Sequence, residues 1–218
     1  MGEEGCIIWD IGHIFPELSL TGYESALARR LATHPFDSRL DQLAEMADRE
    51  NIVIGLGLPT TNGSDIFISM IFLKPGGNRS IYSKQILHTD EKPTFSKGDE
   101  SFMLTIQGKN IAPAICYESL QTDHAHDAFE RGADIYLASV EKSQNGLDKA
   151  RIHYRKIAQK YSMPVLMVNC IGFCDDFESA GQTSAWNSNG ELLDILDEDR
   201  EGLLIFDTIT ESVQTLQL

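Results

Sequence analysis

Positive charge is scarce in this 218-residue chain: 18 lysines and arginines stand against 33 aspartates and glutamates, a formal net charge of -15 at pH 7. Nucleic acid or an anionic membrane surface needs a basic footprint, so neither is expected as a partner. Cysteine is sparse as well. Four of them, Cys6, Cys116, Cys170 and Cys174, do not make a disulfide scaffold in a chain of this length, and reduced thiols are expected. No apolar run reaches the roughly 20 residues that a membrane-spanning helix needs. The start, MGEEGCIIWDIGH, has neither the basic stretch nor the long apolar stretch of a secretory leader, so the expected location is cytoplasmic. Low-complexity linkers and internal repeats are missing too. One domain over residues 1–218, with an atypical segment at 1–14, is the simplest organisation.

What is present suffices for a sizeable core: 42% of residues are hydrophobic and 23% charged. Helix-forming residues fill ESALARRLATHP and DSRLDQLAEMADREN, the second with Leu40, Leu43, Ala44 and Ala47 at helical spacing and Asp37 as a candidate N-cap. The β-branched runs NIVIGLGLP and DIFISMIFLKP flank Asn62-Gly63, a hairpin turn signal, so an antiparallel pair is expected. SFMLTIQ and NIAPAIC flank another turn; a helix in TDHAHDAFERGA and a strand in DIYLASV follow. The alternation then repeats, with a helix through Leu147, Tyr154, Ile157, Ala158 and Tyr161 and the buried strand PVLMVNC. A hairpin around Asn189-Gly190 and a last strand, EGLLIFDT, complete the chain. Strands alternating with helices, combined with hairpins, predict a layered α/β architecture.

Three segments stand out chemically. In FPELSLTGY, Glu17 sits among apolar residues, where a carboxylate needs a partner or an upward-shifted pKa. In IAPAICYESL, Cys116 closes an apolar strand where the chain must turn, a place that exposes a nucleophile and frees backbone N–H groups. By itself that segment reads more readily as a buried core cysteine. A catalytic thiol also needs a base, and the six histidines carry no local signature of a cysteine-protease site. In YSKQILHTDEKPTFSKG, Lys84 follows strand-like residues; an ordinary lysine is a solvated charge, the reading adopted for Lys74, Lys142 and Lys149. Cys170 and Cys174 lack a second ligand pair at zinc-site spacing and are read as core cysteines; no metal is expected. Asn169 and the loop SVEKSQNG are candidates to line a pocket.

Together, and in this order, the three segments resemble the Glu, Lys and Cys motifs of the nitrilase superfamily of carbon-nitrogen hydrolases, and GADIYLASV, MPVLMVNCIGF and GQTSAWNSNGELL resemble its downstream strands and hairpin. The resemblance implies a four-layer α-β-β-α sandwich with Glu17, Lys84 and Cys116 converging on one pocket. It implies hydrolysis of a small amide, less readily a nitrile, through a thioester on Cys116, with Glu17 as base and Lys84 and the backbone N–H of Tyr117 stabilising negative charge. It further implies that no cofactor is used, that Glu91 helps to position substrate and Lys84, and that the chain forms a homo-oligomer, a dimer. A solvated loop acid is an equally good reading of Glu91, and Glu118 is read as supporting the Cys116 turn.

One departure stands beside the match. Members begin with a core strand and a long amphipathic helix, and fourteen residues ahead of Phe15 cannot encode both, so the first strand and helix are expected to be largely absent. Such a loss would leave a sheet edge unpaired and the placement of Glu17 in question. The alternative to an active hydrolase is therefore a shortened, catalytically impaired member acting as a binding or assembly protein.

Overall fold

The computed structural model describes residues 6–9, 12–174 and 177–218. In chain order it has β1 (Cys6–Trp9), β2 (Gly12–Ile14), α1 (Ala28–Leu31), α2 (Asp41–Arg49), β3 (Val53–Thr61), β4 (Ile66–Lys74) and β5 (Asn78–Ser83). There follow β6 (Leu104–Ile106), β7 (Lys109–Ile115), α3 (Thr122–Glu130), β8 (Ile135–Val140), α4 (Gln144–Tyr161) and β9 (Val165–Asn169). The last six are β10 (Ile171–Cys174), β11 (Phe177–Ala180), β12 (Ser184–Trp186), β13 (Leu192–Ile195), β14 (Gly202–Phe206) and β15 (Val213–Gln217).

Among the described residues one sheet runs in the order β15-β14-β1-β2-β3-β4-β5, a second in the order β13-β12-β9-β8-β7-β6, and β10 and β11 pair with each other. Burial shows how they stack. On β4, Ile68, Met70 and Phe72 join Leu137, Leu166 and Val168 of the second sheet in one cluster, whereas the alternate residues Ile71 and Leu73 pack against Leu40 and Ala47 on the other face. On β8, Leu137 faces the first sheet while Tyr136 and Ala138 meet Leu147, Ala150 and Tyr154 of α4. The period of two along each strand thus feeds two layers at once, which makes a four-layer α-β-β-α sandwich with the apolar core in the middle. Each large aliphatic or aromatic side chain sealed there contributes about 1.5–3 kcal/mol.

The Asn62-Gly63 turn joins β3 to β4 in antiparallel register from Ile54↔Leu73 to Thr61↔Ile66. Asp37 caps not α2 but the 3₁₀ turn Ser38–Leu40 that leads into it, its carboxylate accepting from the Arg39 N–H at 2.9 Å; α2 itself starts after Leu40 with no side-chain cap. The helix expected in ESALARRLATHP shrinks to the single turn α1, because Thr33 is drawn out to pair with β3: its N–H donates to the Pro59 carbonyl at 3.1 Å. Two features escaped sequence reading, the β10–β11 hairpin and β15. Both expose much of their length, so neither carries the alternation that betrays a half-buried strand.

Among the described residues ahead of Phe15 there are two short strands and no helix. The feared unpaired edge does not result: β1 pairs in parallel with β14 and antiparallel with β2, and β2 pairs in parallel with β3, so this segment lies in the middle of its sheet.

Candidate active site

Glu17 sits in the loop that leaves β2, and β3 holds that loop. The Phe15 N–H donates to the Gly55 carbonyl at 2.9 Å, the Leu20 N–H to the Gly57 carbonyl at 3.0 Å, and the Gly57 N–H to Ser19 Oγ at 3.1 Å. Gly57 is what permits the approach, since a Cβ there would lie 2.3 Å from both Leu18 N and Pro16 O. From the second sheet, Ser139 Oγ donates to the Phe15 carbonyl at 3.2 Å. The carboxylate that looked misplaced in the sequence is thus pinned between the two sheets, fully buried.

Its partner is Lys84, just beyond β5, whose Nζ lies 2.9 Å from Glu17 Oε1 and 2.5 Å from Glu91 Oε1. Glu91 in turn accepts from Tyr23 Oη at 3.3 Å and from the His88 N–H at 2.7 Å. It is buried, so the solvated-acid reading of Glu91 fails. Burial alone would lower the pKa of Lys84, but the charges of Glu17, Cys116 and Glu91 outweigh it and hold the ammonium well above its ordinary value. Burial raises Glu17 and the Lys84 charge only partly offsets this, so its carboxyl stays above the usual carboxylate range. Among the described residues Glu17 Oε2 has no hydrogen-bond partner at ordinary distance, while the Cys116 thiol is near enough to bias its protonation.

Cys116 directly follows β7 at φ 46°, in the left-handed region that a non-glycine residue occupies only when its surroundings enforce it. The enforcer is Glu118, completely buried. One of its oxygens accepts from the Ile115 N–H at 2.7 Å and Tyr82 Oη at 2.6 Å, the other from the N–H groups of Gln85 at 2.7 Å and Ile86 at 3.1 Å. A single carboxylate thereby ties the Cys116 turn to the turn that carries Lys84. Ser119 Oγ adds a bond to the Cys116 carbonyl at 2.5 Å. Burial, then Glu17, push the thiol up to about 11, against the pull of Lys142 and Lys84.

A pocket of about 550 Å³ opens over the thiol, with Tyr23, His88, Glu91, Tyr117 and Leu120 on its walls and Glu141 and Lys142 from the end of β8. The loop after β8 therefore lines the pocket, as expected, but Asn169 serves it from behind: its Oδ1 accepts from the Lys142 N–H at 2.8 Å and its Nδ2 donates to the Lys142 carbonyl at 3.1 Å. Lys142 is not the surface charge that was expected. It is buried, and its Nζ stands 3.8 Å from Cys116 Sγ. Glu141 turns the other way, its Oε1 accepting from Cys174 Sγ at 3.1 Å and Cys170 Sγ at 3.5 Å. Burial raises its carboxyl to about 10 and so keeps it protonated at neutral pH.

The structure thus brings Glu17, Lys84, Glu91 and Cys116 together, with Tyr117 beside them, and adds Tyr23, Glu141 and Lys142. A signal for the last two existed. β7 and β8 are parallel neighbours, with Ile115 opposite Ser139, so residues just past β8 must emerge beside Cys116 at the carboxyl ends of the strands.

Comparison with known proteins bears on the family and the fold. Residues 13–217 match the family model described as carbon-nitrogen hydrolase. The chain is similar to an (R)-stereoselective amidase from a Pseudomonas species, 23% identical over 182 residues that make up 83% of this chain and 66% of that protein. Its structure is similar to a CN-hydrolase superfamily protein from Xanthomonas campestris with an arsenic adduct in the active site, at TM-score 0.79 and 18% identity, covering 94% of this chain and 76% of that one. It is also similar to a mutant of the amidase from Nesterenkonia sp. AN1 in which acrylamide has added to the active-site cysteine, at TM-score 0.76 and 19% identity, covering 85% of this chain and 75% of that one. At such identities the structural likeness carries the fold.

Proposed function

The chain belongs to the carbon-nitrogen hydrolase family, and from that premise we propose that it is a thiol amidohydrolase that cleaves the C–N bond of a small amide. The observation that carries the reading is the meeting of Glu17, Lys84 and Cys116 under one pocket, with Lys84 Nζ 2.9 Å from Glu17 Oε1 and the thiol beside the carboxyl. Glu17 takes the thiol proton and the sulfur attacks the amide carbon. Negative charge that develops on the carbonyl oxygen is stabilised by Lys84 and the backbone N–H of Tyr117, fixed donors in a dry site being worth several kcal/mol there.

Collapse breaks the C–N bond. The leaving ammonia or amine receives the proton from Glu17, and the acyl group stays on Cys116 as a thioester. Glu17 then removes a proton from water, hydroxide adds to the thioester, and the carboxylic acid leaves as the thiol is restored. A carboxyl whose pKa burial has raised suits both duties, because it must accept and return a proton near neutral pH. Glu91 and Tyr23 hold Lys84 in place. An amide is preferred to a nitrile because one similar protein, that from a Pseudomonas species, is an amidase. The anchoring of the Glu17 loop on Gly55 and Gly57 favours an active enzyme over an impaired one.

The test is ammonia release from a panel of small amides and nitriles, with mass spectrometry of the intact chain for an acyl adduct. Turnover by the wild type, an adduct on Cys116, and loss of both in a folded Cys116→Ala variant are expected. Turnover that survives in Cys116→Ala, or no turnover and no adduct on any substrate, would overturn the reading.

A further inference from the structure

Glu141 and Lys142 are adjacent, buried and opposite in formal charge, yet they do not pair. Glu141 is directed at the thiols of Cys170 and Cys174 and stays protonated, so it does not neutralise its neighbour. Lys142 makes no ion pair with any carboxylate among the described residues, although only 6% of it is exposed. A buried ammonium without a counter-charge is costly. This one is held rigidly all the same. Its carbonyl also accepts from Ser179 Oγ at 3.3 Å and the Ala180 N–H at 3.0 Å, and its stem packs over Gly146, where a Cβ would come within 3.3 Å of Lys142 Cβ. Among the described residues the one hydrogen-bond acceptor of its Nζ is Cys116 Sγ, at 3.8 Å.

We infer that Lys142 is a further catalytic residue, the counter-ion of the Cys116 thiolate that forms when Glu17 removes the thiol proton. The proton passes from Sγ to the Glu17 carboxylate, no bond forms to Lys142, and the new negative charge on sulfur meets an ammonium already in place. Lys84 is less free for this duty because two carboxylates already contact its Nζ. The groups facing the thiol are Glu17 from the loop after β2, Lys84 after β5 with Glu91 behind it, Glu141 and Lys142 after β8, and Tyr154 from α4. Among them Lys142 lowers the thiol pKa more than Lys84 does, against the upward push of burial and Glu17. This inference deepens the thiol-hydrolase reading and rests on it.

The experiment is alkylation by iodoacetamide from pH 6 to 11, read on the Cys116 peptide by mass spectrometry, for wild type, Lys142→Met and Lys142→Arg. Peptide-level reading matters because hydrogen bonding with Cys170 lowers the Cys174 thiol to about 7, which makes it a competitor. The Lys142→Met profile should move up by about one to two pH units, so that alkylation near pH 7.5 slows about 10- to 100-fold. Lys142→Arg, which keeps the charge, should stay nearer the wild type. Should Lys142→Met fail to fold, Lys142→Gln makes the same comparison. A neutral variant that folds and superimposes on the wild-type profile would overturn the inference, as would one whose only change is a raised KM for anionic amides, because Lys142 would then bind substrate. Alkylation reads the thiol without turnover, so failure of the amidase reading and failure of this one are distinguishable.

Discussion

Replacing Glu118 by glutamine should unlock the active site without touching any group that reacts. Four donors converge on this carboxylate: Tyr82 Oη and the N–H groups of Ile115, Gln85 and Ile86. Glutamine has one acceptor oxygen where glutamate has two. If that oxygen faces Ile115 and Tyr82, the new amide NH₂ points at the N–H groups of Gln85 and Ile86, donor against donor. Two charge-assisted bonds are lost and two partly buried N–H groups are left unpaired, a loss of about 3–6 kcal/mol at about 1.5–3 kcal/mol each. Set against a typical stability of about 5–15 kcal/mol, the variant is marginal. The bonds lost tie the Cys116 turn to the Lys84 turn, so turnover should fall more steeply than stability alone requires. Urea denaturation gives the first quantity, and turnover measured on the folded fraction gives the second. A stability loss below about 1 kcal/mol would refute the reasoning, since it would mean that the N–H groups find other partners at little cost.

Further expectations concern Glu17 and Glu141. Gly57→Ala should drive a methyl group into the backbone of the Glu17 loop, 2.3 Å from Pro16 O and Leu18 N; a shift of about 1 Å there should cost about a hundredfold in turnover, measured at saturating amide. Wild-type turnover in that variant would show that the loop is not held as described. The Glu141 carboxyl is raised from 4.5 to about 10, so the folded state holds a proton that the unfolded chain has released. Its contribution to stability is fully present below about pH 4.5 and declines as the pH rises towards about 10. Denaturation between pH 5 and 9 should therefore show Glu141→Gln, which cannot ionise, losing less stability with rising pH than the wild type. Parallel pH dependences would remove Glu141 as a source of the decline.

Much of the fold was legible because its signals are local. Asn62-Gly63 made a hairpin, Asp37 made a cap, and the apolar runs of β7, β8 and β9 made buried strands whatever their neighbours. Exposed edge elements such as β15 were illegible, since a strand with little buried face leaves no alternation to read. The segment before Phe15 misled for a related reason. Asp10, Gly12 and His13 interrupt its apolar run, but β1 and β2 take their order from pairing with β14 and β3, which are remote in the chain.

The same division runs through the site. The three motifs, read together and in order, marked Glu17, Lys84 and Cys116 through their resemblance to one family, a signal that no one of them carries alone. Folding alone decided the fates of Glu141 and Lys142. Nothing in the dipeptide says that one side chain is protonated against Cys170 and Cys174 while the other stays charged beside Cys116. That depends on Asn169 gripping the backbone at Lys142 and on the parallel register of β7 with β8, contacts between residues far apart in sequence. Electrostatics in a buried site is set by which groups are brought within a few ångströms, and only the tertiary structure supplies those distances.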